Sequence, residues 1–168
     1  MGNESQPNWE DKVTIKLPNI TSQQVWQVLQ DFCNLHKWIP IDTCYQLEGI
    51  QNQPGVIRYC ASTIKSPDSE PTIKWAKEKL LTIDPIKRCL SYEIVDNNMG
   101  FKSYVAILKV VPINDDDDEG AGCVVEWSFV CDPVEGWTLQ DFKSYIEYCL
   151  QFMAKKIEVE SSSSSVTG

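Results

Sequence analysis

Along the chain the spacing of hydrophobic positions changes period three times. Residues 12–17, KVTIKL, alternate apolar and polar, the period of a half-buried strand, and Pro18 stops them. In TSQQVWQVLQDF the period becomes helical: Val25, Trp26, Val28, Leu29 and Phe32 fall on one face, and Thr21 followed by Gln24 predicts a capping box. NLHKWIP continues this as a broken or second short helix ended by Pro40. To about residue 131 the pattern is then that of strands: CYQLEG, GVIRYCASTI, TIKWAKEKLLTI, CLSYEIV, FKSYVAILKVV and CVVEWSFVC. Their separators, QNQPG, SPDSEP, DPIK, DNNMG and NDDDDEGAG, are short and rich in turn residues, so consecutive strands pair antiparallel as a meander. The helical period returns in GWTLQDFKSYIEYCLQFMAKKIEV, where Leu139, Phe142, Tyr145, Ile146, Cys149, Leu150, Met153 and Ile157 form one stripe.

This order predicts the α+β class: a curved seven-stranded antiparallel sheet around a long C-terminal helix, with two short helices after the first strand. One domain is expected over residues 11–160, with a flexible N-terminus at 1–10 and a disordered serine-rich tail at 161–168. A sheet curled in this way commonly leaves a ligand cavity beneath the helix.

Composition narrows the choice of partner. At 168 residues, 42% hydrophobic and 23% charged, the chain suits one soluble core that needs no disulfide or metal staple. A net charge of −9, with no Lys/Arg stripe, argues against nucleic acid and anionic membranes. Seven scattered cysteines without C-x-x-C, and His36 as the lone histidine, predict reduced intracellular thiols and no zinc. MGNESQPNWE lacks the features of a signal peptide, and Gln6 stands where a myristoylation motif needs Ser or Thr. No apolar run approaches the roughly 20 residues of a membrane helix. The sequons at Asn3 and Asn19 therefore carry no meaning, and a cytoplasmic monomer or weak dimer is expected, binding a small apolar or sulfur-containing metabolite.

One residue breaks the strand pattern. In TIKWAKEKLLTID, Glu78 lies between Ala76 and Leu80 on one face, while Trp75, Leu81 and Ile83 take the opposite phase with Lys77 and Lys79. A hairpin folded about Asp68 sets Arg58 opposite Glu78, and directly opposed residues share a face. Turns near Pro85 and Asn98 then set Glu78 opposite Tyr92, and Tyr92 opposite Tyr104. The result is a transverse row among Val56, Ile64, Leu90, Ile94, Ala106 and Leu108, with the reservation that a β-bulge shifts every pairing beyond it. Trp127 and Phe129, in phase with Val125, face the same space, either as core or as ligand contacts. Cys60 and Leu90 complete the candidate lining.

Burying a carboxylate and a guanidinium costs several kcal/mol per ion, so stability alone is a poor reason to keep such a pair. Glu78 in an apolar cavity is a candidate general acid or base, with Arg58 as an oxyanion binder and two phenols as hydrogen-bond partners. The alternative is a structural ion pair on a solvated sheet face. DDDDEG lacks the spaced ligands of a calcium loop and reads as a solvated hairpin tip. His36 has no carboxylate or cysteine at catalytic spacing, and no G-x-S-x-G or phosphate loop occurs.

DFCNLHKWIP, EGIQNQPGVIRY, WAKEKLLTID, SYEIVDNNMGFKSYVA and VEWSFVCDPVEGWT resemble the lachrymatory factor synthase family of plants. That family lies within the START-like superfamily of birch-pollen allergen, polyketide cyclase and lipid-transport proteins. The resemblance spans about residues 10–160 and implies the helix-grip fold. It also implies a cavity in which an arginine and a glutamate carry the chemistry beside tyrosines. The matching positions are Arg58 in GVIRY, Glu78 in WAKEK, Tyr92 in LSYEI and Tyr104 in FKSYVA. The implied reaction turns an alkenyl sulfenic acid into a thial S-oxide without metal or cofactor: Glu78 shuttles the proton, Arg58 holds the sulfenate oxygen, and Tyr92 and Tyr104 orient the substrate. The second reading is a carrier or sensor of a hydrophobic plant metabolite or lipid. The gate and latch signatures of the abscisic acid receptors, which share the superfamily, are not found, nor is the glycine-rich loop of the pollen allergens.

Overall fold

The computed structural model describes residues 7–114 and 122–166. β1 (Trp9–Leu17) leads into α1 (Ser22–Gln30) and a short 3-10 helix (Phe32–Lys37) kinked at Asn34. β2 (Thr43–Glu48), β3 (Ile57–Ser66), β4 (Ser69–Asp84), β5 (Cys89–Asn97), β6 (Val105–Pro112) and β7 (Cys123–Cys131) follow, and α2 (Leu139–Val166) ends the chain. All seven strands form one antiparallel sheet in the order β1-β7-β6-β5-β4-β3-β2. The predicted meander and helix-grip order are both present, with β1 closing against β7.

The helix at Ser22 starts where its cap predicts. Thr21 Oγ1 accepts from the Gln24 amide, and the Gln24 side chain accepts from the Thr21 amide, so two otherwise orphan donors are satisfied. Thr21→Ala should cost about 1 kcal/mol of stability in urea denaturation, with an unchanged denaturant slope.

Several boundaries differ from the sequence pattern, each for a local reason. β1 already begins at Trp9, which stacks on Phe142, so residues 9–10 are strand and not flexible terminus. β6 begins at Val105, not at Phe101, because Asn97 Oδ1 accepts from the amides of Met99 and Phe101 and holds that stretch as a loop. α2 runs on to Val166 through the serine tract read as a disordered tail. No proline or glycine stands in its way, and a helix already nucleated and packed propagates through residues of middling propensity. The remaining N-terminal residues 1–6, residues 115–121 of the acidic hairpin tip, and residues 167–168 lie outside the described residues.

The core lies between the sheet and the helices. Leu80, Leu90, Ala106, Val110 and Val125 meet Ile146, Leu150, Met153 and Ile157 of α2 and Val25, Trp26 and Leu29 of α1. Phe142 anchors the start of α2 in an aromatic cluster with Trp9, Phe101, Tyr104 and Phe129. Tyr145, which the spacing placed on the apolar stripe, is 42% exposed at its border, beside Trp137.

Two bulges set the site. Between Leu80↔Tyr92 and Thr82↔Ser91, β4 carries one extra residue, Leu81; between Lys77↔Asp96 and Glu78↔Ile94, β5 carries Val95. A bulge reverses the side-chain phase beyond it. Ile83 therefore returns to the core side opposite Leu90, although it is out of phase with Leu80 in the sequence. Trp75 stays on the far face, stacked on Tyr59 with Lys77 over its ring. At the β2–β3 loop, Gly49 has φ +95°, and a Cβ there would lie 2.6 Å from Val56 Cα, so only glycine lets the loop return this closely to β3.

Candidate functional site

Arg58 and Glu78 are direct cross-strand partners, as the hairpin about Asp68 predicts. Arg58 Nε donates to Glu78 Oε1 at 2.8 Å, and Nη2 lies 2.7 Å from the same oxygen. Nη1 donates to the Phe32 carbonyl at 2.8 Å. Among the described residues, Glu78 Oε2 has no hydrogen-bond or ionic partner. The side chains are 4% and 12% exposed, which excludes an ion pair on a solvated face.

The guanidinium also sits between rings, its Cζ 3.7 Å from the Phe32 centroid and 4.9 Å from that of Tyr92. Such contacts strengthen when desolvated. Burial works against the charge on Arg58. The adjacent Glu78 carboxylate opposes it, and the net result raises the pKa above the ordinary arginine value.

The tyrosines occupy the expected face with a different register. Tyr92 lies opposite Leu80 and Ala106, and Glu78 lies opposite Ile94. Tyr104 precedes β6, and its carbonyl accepts from Ile94. Tyr92 and Tyr104 share a hydroxyl contact of 3.2 Å, and Trp127 Nε1 donates to Tyr104 at 3.2 Å. The phenols thus bond each other and the indole, not Glu78 as expected. Phe129 packs in the Phe142 cluster and Leu90 in the core, while Cys60 Sγ reaches Glu78 Oε1 at 3.8 Å.

Burial, first among the causes, raises Tyr92 and Tyr104 well above the ordinary phenol value. A group whose folded pKa is raised contributes stability that is fully present below its unfolded value, about 10 for tyrosine, and lost as pH climbs through the folded one. In an alkaline titration followed by phenolate absorbance, Tyr92 and Tyr104 should ionise only as the fold opens, above about pH 10. Tyr104→Phe should reduce that alkaline loss.

A family model described as polyketide cyclase / dehydrase and lipid transport matches residues 10–158. The chain belongs to this family. It is 26% identical over 155 residues to MLP-like protein 423 of Arabidopsis thaliana, covering 83% of this chain and 92% of that one. Ginseng major latex-like protein 151 from Panax ginseng shares the fold with a TM-score of 0.65 at 20% identity, over 90% of this chain and 97% of that one. The protein XoxI from Bacillus cereus does so with 0.65 at 21%, over 88% and 92%.

In this polyketide cyclase/dehydrase and lipid transport family member, two contributors to the site escaped the sequence reading. Phe32 supplies both a carbonyl and a ring to Arg58 from the 3-10 helix, a tertiary contact without a local signal. Cys44 lies opposite Cys60, with their sulfurs 3.6 Å apart. Folding QNQPG about Asn52 would have paired them. A separate cleft of about 460 Å³, lined by Trp9, Pro133, Val134, Glu135, Trp137 and Thr138, touches none of these residues. No described helix is long and apolar enough to cross a membrane.

Proposed function

We propose that the protein binds a small, largely apolar ligand against the Arg58–Glu78 pair and moves a proton on it with Glu78. One observation carries this reading. Arg58 spends Nε and Nη2 on Oε1 alone, which leaves Oε2 as an unengaged basic oxygen on a carboxylate only 12% exposed. A base so placed meets the geometric need of proton transfer, and a base with one acceptor suffices for an oxygen-to-carbon shift. The substrate class we favour is an alkenyl sulfenic acid. Glu78 Oε2 takes the S–O–H proton and returns it to the alkene carbon β to sulfur; the C=C pair forms the new C–H bond and C=S forms at the carbon bonded to sulfur, giving a thial S-oxide. Hydrogens on Arg58 Nη1 and Nη2 beyond those bonded to Phe32 and Glu78 steady the sulfenate oxygen. Tyr92 and Tyr104 fix the ligand's orientation. No cofactor takes part.

The test is thial S-oxide formation when the purified protein is mixed with alliinase and an alkenyl cysteine sulfoxide. Product above that of alliinase alone supports the isomerase.

A second reading, a carrier of a hydrophobic metabolite or lipid, is favoured by the engagement of Nε, Nη1 and Nη2 within the fold, which restricts what Arg58 can offer a substrate. It accords with the lipid-transport description of the family. Absence of product, together with displacement of an apolar fluorescent probe by lipids, would make it the better account.

A further inference from the structure

Cys44 on β2 and Cys60 on β3 are directly opposed in the antiparallel ladder, both buried, with Sγ atoms 3.6 Å apart. All seven cysteines are free thiols. Directly opposed antiparallel residues have Cα atoms about 4.5–5.5 Å apart, inside the window of roughly 4.4–6.8 Å that a disulfide requires. The sulfurs need only close to about 2.05 Å by side-chain rotation, with the strand register kept. Cys60 Sγ also lies 3.8 Å from Glu78 Oε1, so its single proton can go to Cys44 or to a carboxylate.

We propose that Cys44 and Cys60 form a two-electron thiol–disulfide site in the wall of the Arg58–Glu78 site, with small hydroperoxides as the oxidant class. The size limit follows from burial. With Cys44 7% and Cys60 9% exposed, the sulfur of a protein disulfide partner cannot reach either thiol.

Cys44 is the attacking sulfur. Cys60 Sγ donates to Cys44 and lies 3.8 Å from the Glu78 carboxylate, which disfavours a second negative charge on Cys60, so the first proton leaves from Cys44. The thiolate attacks the distal peroxide oxygen and the O–O bond breaks. The alkoxide leaves as alcohol with the proton Cys44 released, and Cys44 becomes a sulfenic acid. Cys60 then gives its proton to Glu78 and its sulfur attacks the Cys44 sulfur. The S–S bond forms, the S–O bond breaks, and hydroxide leaves as water with that proton. One hydroperoxide is reduced and two thiols are oxidised. The new bond draws the Cys60 sulfur away from Glu78. This inference stands whether or not Glu78 moves a proton on a ligand.

The test treats the full chain with hydrogen peroxide and with cumene hydroperoxide, then digests it with trypsin under non-reducing conditions. Cleavage after Arg58 places the two cysteines on different peptides, so their linkage is visible by mass spectrometry. The expected result is a Cys44–Cys60 cross-link reversed by dithiothreitol. In Cys60→Ser, dimedone should trap a sulfenic acid on Cys44. In Cys44→Ser, peroxide oxidation of Cys60 should slow by about tenfold or more. In the wild type, which needs no variant to fold, phenylarsine oxide should protect both thiols from alkylation. Both thiols remaining intact after half-buried Cys89 has oxidised would overturn the proposal, as would failure of the arsenical to protect them.

Discussion

Arg58→Met is expected to destabilise the protein by about 3–5 kcal/mol, the loss typical of removing one partner from a buried ion pair. The methionine fills much of the arginine volume, so the loss is chiefly electrostatic. Glu78 keeps a carboxylate that is only 12% exposed and loses both donors to Oε1, while the Phe32 carbonyl loses its partner. A pair on a solvated face would lose no more than about 1 kcal/mol. Adding Glu78→Gln to Arg58→Met removes the stranded charge and should recover most of the deficit. Urea denaturation of the wild type, both single variants and the double variant closes the cycle. A double variant as unstable as Arg58→Met alone would place the cost in lost packing around Phe32 and Tyr92 instead.

The same pair shows how far the sequence could be read. The hairpin about Asp68 is symmetric from Ile57 to Ile64, so Arg58 opposite Glu78 was legible from the turn alone. The next two pairings were not. The turn after Asp84 centres later than Pro85, with Arg88 at positive φ, and Leu81 is then inserted as a bulge. The loop after Asn97 is likewise longer than its turn residues suggest, because the Asn97 side chain organises it and Gly100 and Ser103 take positive φ. Each error amounts to an even number of residues at the site, and an even slip preserves the face. Tyr92 and Tyr104 therefore stayed on the face of Glu78 while losing their direct opposition to it. Their mutual hydroxyl bond, and the contribution of Phe32, depend on how separate elements stack, which no local pattern encodes.

Glu78→Gln should lower turnover by about 10²–10⁴-fold, the usual contribution of a positioned acid or base, if the protein isomerises a bound sulfenic acid. The change keeps the side chain's shape and an amide oxygen that can still accept from Arg58, so folding and apolar-probe binding should persist. It removes the basic Oε2, on which the proton transfer depends. The kinetic pattern separates the two functional readings. An interaction used only in the transition state lowers kcat and kcat/KM together, whereas one used only for recognition changes affinity and leaves kcat alone. A variant with altered probe affinity and full turnover would leave Glu78 as a recognition group and move the search for the base elsewhere on this face. Equal loss of kcat and kcat/KM with unchanged binding would assign the proton to Glu78. Arg58 would then be the residue that holds this carboxylate in place, through the two donors it directs at Oε1, with Oε2 left to face the ligand.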